Sequence, residues 1–155
     1  MDRQRAATMA IDLMNYHGLL TRGWSFDWHN KKRSLGTCSW RRKTIFLSRH
    51  LVAANSEDVI LNTILHEIAH ALTPNDGGHG REWKLMAISL GAKPQPCSED
   101  AADVNHLAPW RLKCPNPECS VSVSMFRRPK IRRSCRLCSG GYFNEKFLMV
   151  LEKVR

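Results

Sequence analysis

The 155-residue sequence contains no apolar run that approaches the roughly 18 residues needed to cross a bilayer. Its first residues, Met1–Arg5, carry charge, but no apolar stretch follows them, so a secretory signal is not indicated. The chain also lacks internal repeats and long low-complexity segments. We therefore expect a soluble, cytoplasmic protein with no membrane partner, built from one globular domain and at most a small appendage.

Acidic residues are scarce in the last third of the chain. The whole sequence carries 24 Lys and Arg against 14 Asp and Glu, a formal charge of +10. Residues 1–109 contribute 13 basic and 11 acidic side chains, whereas residues 110–155 contribute 11 basic and 3 acidic ones. Such asymmetry favours a polyanionic partner, of which nucleic acid is the commonest. The alternative is a surface that is basic only for solubility.

Hydrophobic patterns predict several helices and a few short strands. The predicted helices are about Arg3–Tyr16, a buried helix from Asn55 or Ser56 to Pro74, and about His79–Leu90; the strands are Trp24–Trp28, Leu35–Trp40 and Thr44–Ser48. Because the strands are short and closely spaced, we expect an antiparallel meander. The predicted domains are a helical and small-sheet domain at residues 1–92, a proline-containing linker at 93–109 and a cysteine-rich tail at 110–155.

The strongest motif is His66-Glu67-x-x-His70, in the middle of the most apolar helix. Residues four apart on a helix face the same way, so both imidazoles can reach one zinc ion at roughly 2.0–2.1 Å. Glu67 can then accept a proton from water that zinc acidifies, which makes it the candidate general base for attack on a carbonyl. Histidines in an apolar helix are costly to bury without partners, and zinc supplies them. The alternative is two core histidines hydrogen-bonded to backbone.

A catalytic zinc site needs a third protein ligand and one open position. His79 follows His70 by nine residues, across a loop whose glycines would allow the chain to return to the helix. Asp76 is the second candidate, because carboxylates also bind zinc, and Glu82 is a weaker one. The residues alone leave these alternatives open, together with the interpretation of His79 as an ordinary residue at the start of a helix.

Four of the six cysteines form two close pairs in the basic third of the chain. The pairs are Cys114 with Cys119 and Cys135 with Cys138. This spacing is typical of a zinc ribbon, and four thiolates close the coordination sphere, so the second zinc ion is expected to be structural. Zinc would also supply stability that so short a tail lacks. Disulfides are the alternative. The isolated Cys38 and Cys97 are expected to be buried thiols.

Basic side chains crowd the segment between the two cysteine pairs. This basic cluster consists of Arg127, Arg128, Lys130, Arg132 and Arg133. Part of its charge can balance the negative charge of a zinc ion with four thiolates, and the excess suits contacts with nucleic-acid phosphates. Phe126 and Tyr142 nearby suit stacking on bases. The alternative is a plain solvated loop.

Taken together, these segments resemble the SprT-like family of zinc metallopeptidases, which includes a eukaryotic protease of DNA–protein crosslinks. The matching segments are Gly23-Trp24 with Phe26, Leu35–Cys38, Ile45–Ser48, Leu61–Leu72 and His79–Lys84. The resemblance extends over about Leu19–Gly141. It includes the cysteine-rich tail, because many bacterial members of the family end in a zinc ribbon.

The resemblance implies that His66, His70 and His79 bind the catalytic zinc, with Glu67 as the base, and it favours His79 over Asp76. It also implies that the zinc ribbon helps to hold DNA near the active site. The fold class expected is α+β: a small zincin-like metallopeptidase domain of helices and a short antiparallel sheet, followed by a zinc ribbon with four cysteine ligands.

We therefore expect an SprT-like zinc metalloendopeptidase with one catalytic and one structural zinc ion. It is expected to be a DNA-associated monomer whose substrates are DNA-bound or DNA-crosslinked proteins. The alternative is a non-catalytic, nucleic-acid-binding accessory or regulatory protein on a metallopeptidase-like scaffold. A complete His-Glu-x-x-His motif argues against that alternative, since a scaffold has no need of Glu67.

Overall fold

A computed structural model describes residues 1–74, 78–95 and 104–154 of the chain. Two compact units are present, Met1–Ala102 and Asp103–Arg155. The helices are α1 (Arg3–Tyr16), α2 (Arg49–Ala54), α3 (Glu57–Leu72) and α4 (Arg81–Ser89), and the strands are β1 (Ser25–His29), β2 (Gly36–Ser39), β3 (Thr44–Ser48), β4 (Trp110–Lys113), β5 (Ser122–Met125) and β6 (Val150–Lys153). The boundary between the units falls within the predicted linker at 93–109, and the predicted domain limits stay predictions.

The combination of helices and small sheets confirms the α+β class, but the predicted meander is wrong. The strand order of the first sheet is β1-β3-β2, with β1 parallel and β2 antiparallel to β3. All residues of β3 are buried, as in a strand covered on both faces. The connection from β1 to β2 passes over the end of β3, where Ser48 Oγ donates to the Lys31 carbonyl at 2.6 Å and Ser48 N–H to the Leu35 carbonyl at 2.8 Å. This crossing leaves β2 at an edge of the sheet.

The first unit is built around α3. Glu57 and Asp58 lie in its first turn, where carboxylates suit the positive end of the helix dipole. Ile60, Ile64 and Ile68 recur every four residues and have no exposed surface, so one face of α3 is entirely core. Around it pack α1, α4 and the strands β2 and β3. The helix that carries the His-Glu-x-x-His motif is thus held on several sides by the rest of this unit.

The helix limits differ from the predictions by a few residues. α3 ends at Leu72, before Pro74, and Thr73 Oγ1 closes its last turn by donating to the Ala69 carbonyl at 2.8 Å. α4 begins at Arg81, which leaves His79 in the connection before it. The short α2 was not predicted. Among the described residues, no helix combines the length and the apolar character needed to span a membrane.

The second unit is a small antiparallel sheet with the order β5-β4-β6. Cys114 follows β4 directly, and Cys119 precedes β5. A single bridge between Ser134 and Leu148 holds the loop that contains the other two cysteines against the segment before β6. The sheet therefore serves mainly to hold cysteine-bearing loops.

Candidate metal centre and active site

The structure brings three histidine side chains of the first unit together. His66 and His70 lie one turn apart on α3, and His79 approaches them from the connection before α4. The His79 Nε2 atom lies 3.1 Å from His66 Nε2 and 3.2 Å from His70 Nε2. The sequence-predicted third histidine therefore meets the helix pair. Asp76, the second candidate, lies outside the described residues, and Glu82 is not part of this group.

The arrangement of the three nitrogens fits a metal ion. Two neutral imidazoles can share at most one proton between them, so three ring nitrogens that face one another repel unless a cation or proton lies among them. Zinc–nitrogen bonds of about 2.05 Å in a tetrahedron would place neighbouring nitrogens about 3.3 Å apart, close to the spacing seen here. One potential ligand atom from each ring lies within 4.8 Å of the others. These residues could hold zinc.

Burial keeps the imidazoles in the form that binds metal. The pKa of His66 is lowered to about 4, first by burial and then by the neighbouring His70 and His79. A neutral imidazole retains the lone pair that a metal needs, so no proton competes for His66 at neutral pH.

Trp83 also belongs to the site, although the sequence pattern by itself did not predict it. Its side chain has no exposed surface and lies on α4 beneath the histidines. The ring centroids lie 4.7, 5.2 and 4.4 Å from those of His66, His70 and His79 respectively. Because the indole contacts all three rings, it restricts their rotation. The sequence signal was its position four residues after His79, in the first turn of α4.

Glu67 lies beside the histidines in a nearly closed environment. Its exposed fraction is 7%, and its carboxylate accepts a hydrogen bond from the backbone N–H of Cys38 on β2. Burial raises its pKa to about 8, although the Cys38 N–H and the Lys31 ammonium act in the opposite direction. A carboxyl group with a pKa near neutrality can both take up and release a proton under physiological conditions.

Gly36 permits β2 to approach α3 closely enough for that hydrogen bond. A Cβ atom at this position would lie 2.7 Å from Glu67 Oε1 and 2.6 Å from Thr63 Cγ2. No side chain larger than hydrogen fits there without displacement of α3 or β2. This contact could not be predicted from the sequence beyond the presence of a glycine, because Gly36 and the residues that it approaches on α3 are far apart in the chain.

A cleft of about 460 Å³ opens over the histidines and Glu67. One wall consists of β2 residues with Trp40, and the other of α3 with the segment around Gly78. Trp40 Nε1 donates to the His70 carbonyl at 3.0 Å, and its ring packs edge-on against Trp24 at 4.9 Å. Cys38 lines this cleft and is half-buried, less buried than the thiol predicted from the sequence. Cys97 lies outside the described residues.

The second unit holds the four paired cysteines in one cluster. Their sulfur atoms lie within 4.8 Å of one another, with Cys114 Sγ 3.7 Å from Cys138 Sγ and Cys119 Sγ 3.8 Å from Cys135 Sγ. A tetrahedral zinc site with bonds of about 2.3 Å has sulfurs about 3.8 Å apart, so the cluster fits zinc. These separations are too long for disulfide bonds. The backbone N–H of Cys138 lowers the pKa of Cys135 to about 7, which favours its thiolate.

The basic cluster lies in the loop between β5 and Cys135. All five side chains are exposed. Arg128 lies over the Trp110 ring at 5.7 Å, and Arg132 pairs with Glu145 at 3.4 Å. A groove of about 490 Å³ in this unit is lined by Arg132 and Arg133 together with Tyr142 and Phe143, whose rings are largely exposed. Phe143 was not predicted as part of this surface.

A model of the SprT-like family matches residues 6–104. The chain belongs to the SprT-like family. The match runs from α1 past α4 and includes the three histidines and Glu67, whereas the cysteine cluster lies outside it. The family resemblance predicted from the sequence is confirmed.

Individual relatives are distant. Protein SprT of Glaesserella parasuis serovar 5 is 24% identical over 115 residues, which cover 67% of this chain and 74% of that protein. Protein SprT of Pseudomonas syringae pv. tomato is 28% identical over 98 residues, which cover 57% of this chain and 60% of that protein. The crystal structure of the metallopeptidase zymogen of Methanocaldococcus jannaschii jannalysin matches 57% of this chain and 81% of that one, with 18% identity and a TM-score of 0.43. That likeness is too distant to bear on function.

Proposed function

We propose that this chain is a zinc-dependent metalloendopeptidase that cleaves proteins bound or crosslinked to DNA. The observation that carries the proposal is the convergence of three histidine nitrogens beside a buried carboxylate in an open cleft. Zinc held by His66, His70 and His79 would supply Lewis acidity that polarises a carbonyl group and acidifies water. The family membership supports the same class of chemistry.

Glu67 is proposed as the general base. Its carboxylate lies on the cleft side of β2, and the Cys38 N–H fixes its orientation. Glu67 would take up a proton from the attacking water and transfer it to the amine that leaves. No other carboxylate among the described residues lines the cleft.

The edge strand β2 is proposed to position the substrate. In the described sheet, β2 pairs with β3 on one side only, and its residues from Gly36 to Cys38 line the cleft. The edge of a sheet can bind an extended peptide by main-chain hydrogen bonds. A substrate segment paired with β2 would pass directly over Glu67 and the histidines.

The second unit is proposed to bind DNA and to hold a structural zinc ion at the four cysteines. Exposed arginines attract phosphates, and the exposed Tyr142 and Phe143 rings can stack on bases. Neutralisation of Arg127, Arg128, Arg132 and Arg133 is expected to weaken DNA binding and to reduce its dependence on salt. Unchanged DNA binding would instead support the alternative interpretation, in which the basic cluster is a plain solvated loop. DNA binding would also place the protein with the nucleoid.

A cleavage assay on a DNA-bound protein substrate tests this function. Zinc-loaded wild type should cleave the substrate when DNA is present, and Glu67→Gln should retain zinc but lose cleavage by at least about 100-fold. Glu82→Gln is the matched control, since Glu82 is exposed on α4 and outside the histidine group. Full activity of Glu67→Gln would refute the mechanism. An inert wild type with both zinc ions bound would instead support the non-catalytic accessory protein.

A further inference from the structure

The turn between β2 and β3 carries a concentration of exposed cations that the proposed function does not use. Arg41, Arg42 and Lys43 are consecutive and exposed. Lys43 Nζ donates to the Arg22 carbonyl at 3.1 Å, which brings the exposed Arg22 alongside them. We call these four residues the basic turn. Among the described residues, none of the four forms an ion pair with a carboxylate.

The concentration of cations at the basic turn is a local feature of the first unit. Residues 1–109 are nearly balanced, with 13 basic and 11 acidic side chains, so the first unit has little general excess of positive charge. A nearly balanced unit that places four cations at one turn produces a positive local potential there. The feature therefore differs from the second unit, where the whole sequence is basic.

The conformation of Lys43 is a second, independent observation. Lys43 has φ of 46° and is the one non-glycine residue with positive φ among the described residues. Its N–H donates to the Trp40 carbonyl at 3.1 Å and closes the turn. Glycine or asparagine adopts this conformation more readily than lysine. Lys43 therefore occupies a position at which glycine or asparagine would be less strained, and this strain motivates the hypothesis that its side chain has a function.

The basic turn lies at the rim of the cleft. The residue before it, Trp40, lines the cleft and is bonded through Nε1 to the carbonyl of His70, one of the three clustered histidines. Arg41 follows Trp40 directly, so a ligand held by the turn would lie next to the cleft opening. Because Trp40 also packs against Trp24, the turn has a fixed position relative to the histidines.

We propose that the basic turn binds the phosphate backbone of nucleic acid at the rim of the cleft. The inference rests on the proposed function, since it would bring a protein attached to that nucleic acid within reach of β2 and Glu67. Guanidinium groups suit phosphate oxygens, which they can contact in a bidentate manner, and that of Arg42 lies over the Phe46 ring at 5.1 Å. A membrane surface fits less well, because the one aromatic side chain that adjoins the turn, Trp40, is held by its bond to the His70 carbonyl and its contact with Trp24.

The test is DNA binding by the full zinc-loaded chain across a salt series, measured by the anisotropy of a fluorescent oligonucleotide. The triple variant Arg41→Gln, Arg42→Gln, Lys43→Asn should bind on the order of 100-fold more weakly at 0.1 M salt, with a slope of log affinity against log salt reduced by about 2 to 3. Arg3→Gln, Arg49→Gln, Lys84→Gln is the matched control, because it removes the same charge from exposed positions elsewhere in the first unit.

Lys43→Asn alone separates binding from folding. Asparagine relieves the positive φ, so this variant should unfold at the same or a higher temperature than wild type, while the salt slope falls by about 1. The triple variant is also compared in a background with Arg127, Arg128, Arg132 and Arg133 neutralised, where the second unit contributes little. In that background the basic turn should account for most of the remaining DNA affinity.

Wild-type binding by the triple variant, or an equal loss in the matched control, would overturn the inference. So would turn-dependent binding to anionic vesicles or polyglutamate that is as strong as binding to DNA. Because Glu67→Gln should bind DNA like wild type, the binding result is independent of proteolysis. If the triple variant binds DNA like wild type while Glu67-dependent cleavage is intact, only the DNA-binding role of the basic turn is refuted. If DNA binding depends on the basic turn but the wild type cleaves nothing, only the proposed peptidase activity is refuted.

Discussion

Replacement of Gly36 by alanine is expected to destabilise the first unit and to impair cleavage while the metal ligands remain. The new Cβ atom would lie 2.6 Å from Thr63 Cγ2, 2.7 Å from Glu67 Oε1 and 2.8 Å from Glu67 Cγ. Thr63 can give little space, because its side chain is β-branched, nearly buried and bonded through Oγ1 to the Val59 carbonyl at 2.8 Å. Either β2 moves away from α3 or the Glu67 carboxylate is displaced, and both changes disturb its bond to Cys38.

The magnitudes follow from these contacts. Insertion of a methyl group into a packed region costs about 1–3 kcal/mol of unfolding free energy. A displacement of a catalytic group by about 1 Å can cost on the order of 100-fold in rate. Urea unfolding followed by the helical circular-dichroism signal measures the first quantity, since α1–α4 all belong to the first unit. Cleavage of a DNA-bound protein measures the second.

Two further variants make the Gly36 prediction specific. Gly78→Ala is the matched control for stability, because its Cβ atom would meet nothing within 4 Å. Thr63→Ala in the Gly36→Ala background removes the Cγ2 contact but not the contact with Glu67, so it should restore part of the stability and little of the activity. Wild-type stability and activity in Gly36→Ala would show that β2 does not press against Glu67, and the account of how Glu67 is held would be wrong.

Three other predictions concern pH, metal affinity and the second unit. Burial raises the Glu67 pKa from 4.5 to about 8, so the stability that its protonated form contributes is present below pH 4.5 and lost as the pH rises through about 8. Metal-free Glu67→Gln should therefore be more stable to urea than metal-free wild type at pH 8 but nearly equal to it at pH 4.5. If the difference in unfolding free energy between the two proteins does not change with pH, this prediction is wrong. Trp83→Leu should weaken zinc binding at the histidines by about 10–100-fold, and Trp83→Phe by less, as measured by competition with a chromophoric chelator. If both variants bind zinc as tightly as wild type, Trp83 does not position the histidines. Cys135→Ser should lose one zinc ion and unfold the second unit while the helical signal persists; a retained ion would contradict the cysteine site.

The grouping of the histidines could be predicted because it depends on local spacing. His66 and His70 are one turn apart on a helix whose apolar pattern is unmistakable, and the structure places their rings 5.0 Å apart. The prediction that His79 joins them required the assumption that the loop after α3 folds back toward this helix, and the glycines in the loop supported that assumption. The cysteine cluster followed from paired spacing in the same way. The roles of these residues as metal ligands stay predictions.

Long-range contacts could not be predicted from the sequence. The order β1-β3-β2 depends on a loop that crosses the end of β3, although the continuous apolar run Ile45–Leu47 was a signal for a central strand. The contacts of Gly36 with Glu67 and of Trp83 with the three histidines arise only when separate elements pack together. Periodicity identifies which face of an element is buried, but not which residue it meets.

The most direct measurement of the central claim is the zinc content of the purified full chain and of two variants. The account predicts two zinc ions per chain for wild type and for Glu67→Gln, and one for His79→Ala, because loss of one of three histidine ligands should release the catalytic ion. A His79→Ala chain that keeps the wild-type ratio of zinc to protein would contradict the claim that His66, His70 and His79 form a metal site.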